Sequence, residues 1–314
     1  MSGVAIVIAA YEAEATLDRA VSSALAQEQV SEVCVVDDAS RDGTLTLAQK
    51  WAARDDRVIA LAQPTNSGPS AARNAAIRAT RSPWLAVLDA DDYLLPGRMT
   101  ALLAHAKEAD FVADALIRVA ADAAPPAQPN TSFAPNSLDF SSFVSGNLGQ
   151  SRGPLDLGFL KPMFRRAFIE QHGMQYRESM RLGEDYFFYA EALARGARFL
   201  VGAAAGYVSV ERAGSLSKAH SESDLAALRD CDLELARLPL NAAERRALRR
   251  HWTSVDCRLQ WRRLISAVKA RAPLAALSTF HTPEAALYLA ARLGEQAWLR
   301  GTGRGPDRTA PGLR

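Results

Sequence analysis

The chain has 314 residues, of which 48% are hydrophobic and 23% charged, with a formal net charge of +2. That is enough apolar material for one large α/β domain with a further extension, and too little excess charge to select nucleic acid as a partner. The three cysteines, Cys34, Cys231 and Cys257, lack zinc or redox spacing and read as buried thiols in a reducing compartment.

Val4–Ala10 is a continuous apolar run of the kind buried on both faces of a parallel sheet. Met1–Gly3 lead into it without a basic segment or cleavage site, and no stretch reaches the roughly 18 apolar residues that span a bilayer. A cytoplasmic protein is expected. Glu14–Gln27 carries apolar residues at helical spacing, and Val33–Val36 is a second buried strand. Asp42–Arg54 reads as a helix with Ser40 or Asp42 as cap, Val58–Leu61 as a third strand, and Ser70–Thr80 as a third helix. Trp84–Leu88 is a fourth strand, Pro96–Lys107 a helix, and Phe111–Val119 a return to strand. Such alternation predicts a doubly wound sheet, with ligands beyond the carboxyl ends of its strands. Ala10–Tyr11, Asp37–Asp38 and Asp89–Asp92 all fall there.

The alternation then lapses. Ala120–Asn136 reads as a loop, Leu155–Glu191 as a short strand and a helix starting near Glu184, and Arg198–Val210 as two more strands. From Ser221 the pattern is helical. Leu248, Trp252, Val255 and Leu259 form one stripe, and Trp261, Leu264, Ile265 and Val268 another, so this helix breaks or packs on two partners. The expected division is a catalytic domain over residues 1–220, a helical extension over 221–300 and a disordered Gly/Pro/Arg-rich tail over 301–314.

Four clusters carry chemistry. In Asp-Ala-Asp-Asp, Asp89 and Asp91 alternate, and in an extended segment both project to one side, which suits Mg²⁺ or Mn²⁺. Asp38 can accept from a uracil imide or a ribose hydroxyl, with Tyr11 stacking on the base, or else Asp37–Asp38 merely begin a helix. Asn66–Ile77 combines a Gly-Pro turn, a helix start and Arg73, a fit for a diphosphate or an ordinary ion pair. Glu184 and Asp185 follow Gly183 at a helix start, where the dipole favours an ionised base; taken alone, the pair reads as plain helix-end electrostatics.

Together these segments resemble the family 2 glycosyltransferases with the GT-A fold. The family's order is kept by Ile8–Glu12, Val36–Ser40, Gly68–Asn74, Asp89–Asp92, Gly183–Asp185 and Gly206–Ser217. The resemblance covers about Val4–Ser217 and implies a mixed doubly wound sheet flanked by helices. It also implies inverting, metal-dependent transfer from a nucleotide sugar to a saccharide or lipid-linked saccharide. Residue by residue, it implies Asp38 on the base beside Tyr11 and the Ala10 backbone, and Arg73 near the nucleotide. Asp89 would lie toward ribose and metal, with Asp91 on the metal and Asp185 as catalytic base. Arg212 and Ser215–Ser217 would lie on a segment closing over the diphosphate. Two departures stand out: Ala9 replaces the family's Pro, and Glu12 its Asn, adding negative charge near the nucleotide.

Two rivals remain at this level. A sugar-1-phosphate nucleotidyltransferase needs a Gly-rich basic loop after the first strand, which Ala9–Leu17 lacks. A non-catalytic binding module would have lost the metal or base residue, and both are present. The basic stretch Glu244–Trp252 raises peripheral docking on the inner membrane face. Its arginines scatter around the helix, which favours packing on the catalytic domain instead.

Overall fold

In the computed structural model, residues 3–129, 133–148, 157–211 and 221–301 are described. The tail beyond 301, Arg212 and Ser215–Ser217 lie outside them. The apolar runs become strands where expected: β1 (Val4–Ala10), β2 (Val30–Asp37), β3 (Val58–Ala62) and β4 (Trp84–Val87). They pair in parallel in the order β3-β2-β1-β4. Helices α1 (Leu17–Leu25), α2 (Thr44–Ala52) and α3 (Pro69–Ala79) connect them. Every residue of β4 and nearly every residue of β1 is buried, as a sheet covered on both faces requires.

Beyond β4 the sheet turns mixed. β9 (Met163–Arg165) runs antiparallel between β4 and β6 (Phe111–Asp114), followed by β10 (Phe199–Gly202) and β8 (Asn136–Leu138). The strand expected over Phe111–Val119 is in fact two. β6 ends at Asp114, and β7 (Ile117–Ala120) joins a second sheet of order β5-β11-β7 with β5 (Tyr93–Leu94) and β11 (Tyr207–Glu211). The break has a polar cause. Buried Asp114 accepts the backbone N–H groups of Ala205, Gly206 and Tyr207 on one oxygen. Arg98 donates to the other at 2.7 and 2.9 Å. Gly206 sits there at φ 135°, against Leu95, a position hostile to a side chain. The helix expected over Pro96–Lys107 shortens to α4 (Arg98–Leu103), entered through Gly97 in the left-handed region.

α5 (Phe140–Gly146), α6 (Arg166–Gln171) and α7 (Glu184–Ala194) pack on the far half of the large sheet. α8 (Glu222–Leu235) and α9 (Ala242–Lys269) open with capping boxes at Ser221 and Asn241. α9 is one unbroken helix of 28 residues, and it touches α5, α8, α10 (Pro273–Ser278) and α11 (Pro283–Gly301). Its two apolar stripes therefore serve several partners. One core cluster runs continuously from Val7 in β1 through the aromatic residues of α7 to Leu259 in α9. Buried His251 contacts Asp232 at 2.7 Å and stacks on Tyr186, locking α9 and α8 to α7.

Candidate active site

The carboxyl ends of β1 and β2 open into a cleft of about 480 Å³. Its walls include Ala10, Tyr11, Glu12, Asp38, Gly68, Asp91 and Arg181. Tyr11 is 48% exposed and presents its ring there. Glu12 adopts φ 48°, and its N–H donates to Ser40 Oγ at 3.0 Å. That left-handed conformation is one Asn enters more readily than Glu.

Asp38 is buried, and its two oxygens accept the N–H groups of Ser67 and Gly68 at 2.8 Å each. The carboxylate thus shapes the turn that starts α3 as well as facing the cleft. Asp42, by contrast, accepts from the Thr44 N–H at 3.0 Å just ahead of α2, whose N-cap position falls to Gly43 rather than to Ser40 or Asp42.

Asp89 and Asp91 do not share one side. Residues 88–92 form a turn, closed by the Asp92 N–H on the Asp89 carbonyl at 3.0 Å, rather than an extended segment. Asp91 lines the cleft, whereas Asp89 turns inward to two cations, Arg73 Nη2 at 2.9 Å and Lys161 Nζ at 3.0 Å. Those cations hold Asp89 down to about 2, against the upward pull of burial. Asp92 goes elsewhere again. It accepts from the Tyr207 hydroxyl and the Val210 N–H, joining the two sheets, and burial and then Asp89 push it up to about 7.

Arg73 is a correction to the anion-site expectation. It is buried and spends its guanidinium on Asp89, Glu184 and Asp185, with Nη1 at 3.1 Å from both of the latter. The neighbouring Asn74 exchanges two hydrogen bonds with the Tyr176 backbone. Asp185, at the start of α7, takes Lys161 Nζ at 2.7 Å and is itself buried. Glu184 departs from the helix-dipole expectation. Burial and then Asp185 raise its pKa, and Arg73 and Lys161 only partly offset them.

The structure therefore makes two adjoining groups of the predicted residues. Ala10, Tyr11, Asp38 and Asp91 line the cleft. Asp89, Glu184 and Asp185 gather on Arg73 and Lys161, next to it through Ala90–Asp91 and Arg181–Leu182. Two functional candidates escaped the sequence reading. Lys161 was signalled by a lone Lys within the apolar run Leu157–Phe164, a position that demands anionic partners. Arg181 carried no local signal, since only the fold turns it into the cleft.

Among the described residues, no three Asp, Glu, His or Cys side chains approach closely enough to cage a metal ion alone. Mg²⁺ and Mn²⁺ accept one or two carboxylates with phosphate and water, and Asp91 in the cleft fits that minimal donor set.

A mixed sheet flanked by helices, with carboxylates at its strand ends, is the architecture of the GT-A glycosyltransferases. The profile of glycosyl transferase family 2 matches residues 5–172, and the chain belongs to that family. It is a glycosyltransferase. The succinoglycan biosynthesis protein ExoU of Rhizobium meliloti is 42% identical over 83% of this chain and 78% of its own length. S. aureus TarS 1–349 in complex with UDP-GlcNAc superposes with a TM-score of 0.62 at 17% identity, covering 88% of this chain and 90% of that one. The mannosyltransferase PcManGT from Pyrobaculum calidifontis, in complex with GDP-Man and Mn²⁺, gives 0.58 at 16% identity, covering 96% and 79%.

Proposed function

We propose that the protein is an inverting transferase moving a sugar from a UDP-sugar to a hydroxyl of a saccharide or lipid-linked saccharide in bacterial polysaccharide assembly. The observation that carries this reading is the paired site: an acidic cleft beside Asp185, a carboxylate fixed by two buried cations. The succinoglycan role named for ExoU supports the pathway class, and UDP-GlcNAc in TarS supports the donor class. Three buried free cysteines support a reducing, cytoplasmic setting.

In this mechanism Tyr11 stacks on the base while Asp38 and the Ala10 backbone take its polar edge. Asp91 would hold Mn²⁺ or Mg²⁺, which would offset charge on the leaving diphosphate; the Mn²⁺ in PcManGT supports that choice. Arg181, which lines the cleft, takes the diphosphate role first assigned to Arg73. Asp89 binds ribose only through its outward edge, because Arg73 and Lys161 occupy the rest.

Asp185 accepts the proton of the acceptor hydroxyl as that oxygen bonds to the anomeric carbon. The bond from that carbon to the diphosphate oxygen breaks on the opposite face, releasing a nucleoside diphosphate. The test is UDP release from a panel of UDP-sugars with Mn²⁺. Asp185→Asn should lower turnover by about 10²-fold or more while UDP still binds, and Glu184→Gln should keep most of it. Wild-type turnover in Asp185→Asn would remove the assignment.

A further inference from the structure

The first turn of α7 carries Glu184 and Asp185, yet α7 itself does little to hold that turn. Its N-cap residue is Gly183, which has no side chain to cap with. The hold comes from the helices that follow. A Cβ on Gly183 would stand 2.5 Å from Leu228 Cδ1, so α8 closes directly on the residue before Glu184. Tyr186, the residue after Asp185, is gripped by both later helices. Its hydroxyl donates to Asp232 Oδ1 on α8 at 2.9 Å, and its ring stacks on His251 of α9 with the centroids 4.3 Å apart. His251 Nδ1 lies 2.7 Å from Asp232 Oδ2, which closes the trio, and all three side chains are buried.

Burying three polar side chains carries a desolvation cost that apolar side chains filling the same space would avoid. What the hydrogen bonds add is one fixed geometry for Tyr186, and through it for the backbone at Asp185. The carboxylate of Asp185 is meanwhile drawn by Lys161 at 2.7 Å and Arg73 at 3.1 Å. With two cations pulling on it, the backbone behind must stay put for an acceptor hydroxyl to remain in reach. A general base works within about 2.6–3.2 Å of the oxygen whose proton it takes, and a displacement of about 1 Å can lower the rate about 10²-fold.

We propose that Asp232 and His251 are positioning residues for Asp185, acting through Tyr186, so that the helical extension is a working part of the catalytic centre. The proposal rests on Asp185 as the base. It gives the extension a role in turnover although α8 and α9 lie beyond residue 172, where the match to the family profile ends.

A double-substitution cycle on the full chain tests this, read as UDP release from UDP-glucose, UDP-galactose and UDP-GlcNAc to water with Mn²⁺. Tyr186→Phe keeps the ring and loses only the hydroxyl. It should lower kcat about tenfold while donor KM and UDP affinity stay unchanged. Asp232→Ala should lower kcat at least as much, and Asp232→Asn, which keeps an acceptor oxygen, should recover most of it. In an Asp185→Asn background, Tyr186→Phe should lower kcat by less than about twofold, because the group it positions is gone. Leu264→Ala opens a cavity in α9 roughly 20 Å beyond His251, and should lower Tm while leaving kcat unchanged. Wild-type kcat in Tyr186→Phe overturns the proposal, whether or not Asp232→Ala folds. So does a tenfold fall that persists in the Asp185→Asn background or is matched by Leu264→Ala, since either makes the effect one of stability alone. Wild-type kcat in Asp185→Asn instead removes the base assignment, and absence of UDP release from the wild-type protein removes the donor reading; in both cases the proposal falls with its premise.

Discussion

Lys161→Met removes one of the two cations inside the carboxylate cluster while keeping most of the side chain's volume. Lys161 lies 2.7 Å from Asp185 and 3.0 Å from Asp89, and burial alone would favour its neutral form. Asp185 and Asp89 overcome that burial and raise it above the ordinary lysine range. After the substitution Arg73 alone faces Asp89, Glu184 and Asp185. Breaking a buried pair leaves uncompensated charge and costs about 3–5 kcal/mol; because Arg73 stays, about 3 kcal/mol is expected, or roughly 6 °C in Tm. The sign with pH follows from Asp89. Its folded pKa of about 2 lies below the unfolded value, so its contribution is present at neutral pH and is lost as pH falls toward 2. In the variant Asp89 is less depressed, and protonation relieves the buried charge at higher pH than in wild type. The stability gap between the two proteins should therefore narrow from pH 7 to about pH 4. Urea unfolding followed by circular dichroism across that range measures it. A gap below about 1 kcal/mol at pH 7, or one that does not change with pH, refutes this account of the cluster.

Asp92→Asn should flatten the fall in stability between about pH 4 and pH 8. Asp92 has a folded pKa raised to about 7, so its contribution is full below the unfolded carboxylate range and is lost as pH rises through 7; thermal melts at several pH values will show it. Asp38→Ala removes the acceptor for the Ser67 and Gly68 N–H groups and should cost about 2 kcal/mol and weaken UDP binding, read by calorimetry. Asp114→Ala strips buried Arg98 of its partner and three backbone N–H groups of their acceptor. It should destabilise by about 4 kcal/mol, and Asp114→Asn by less, in urea titrations.

What the sequence determined is local and periodic. Apolar runs such as Val4–Ala10 and Trp84–Val87 can only be satisfied between two layers, so β1 to β4 and their parallel pairing were legible. The motifs were legible because each sits where its strand ends, which put Tyr11, Asp38 and Asp91 on one cleft. What each charge touches was not legible, because that is settled by residues far apart in the chain. Lys161 meets Asp89 across 72 positions, and Arg73 meets Asp185 across 112. Desolvation inside the fold, not residue type, decided that Arg73 serves carboxylates, that Glu184 gains rather than loses basicity, and that Asp89 and Asp91 face different ways. The single strand expected over Phe111–Val119 failed for the same reason, since only the folded chain brings the N–H groups after β10 to Asp114 and splits it.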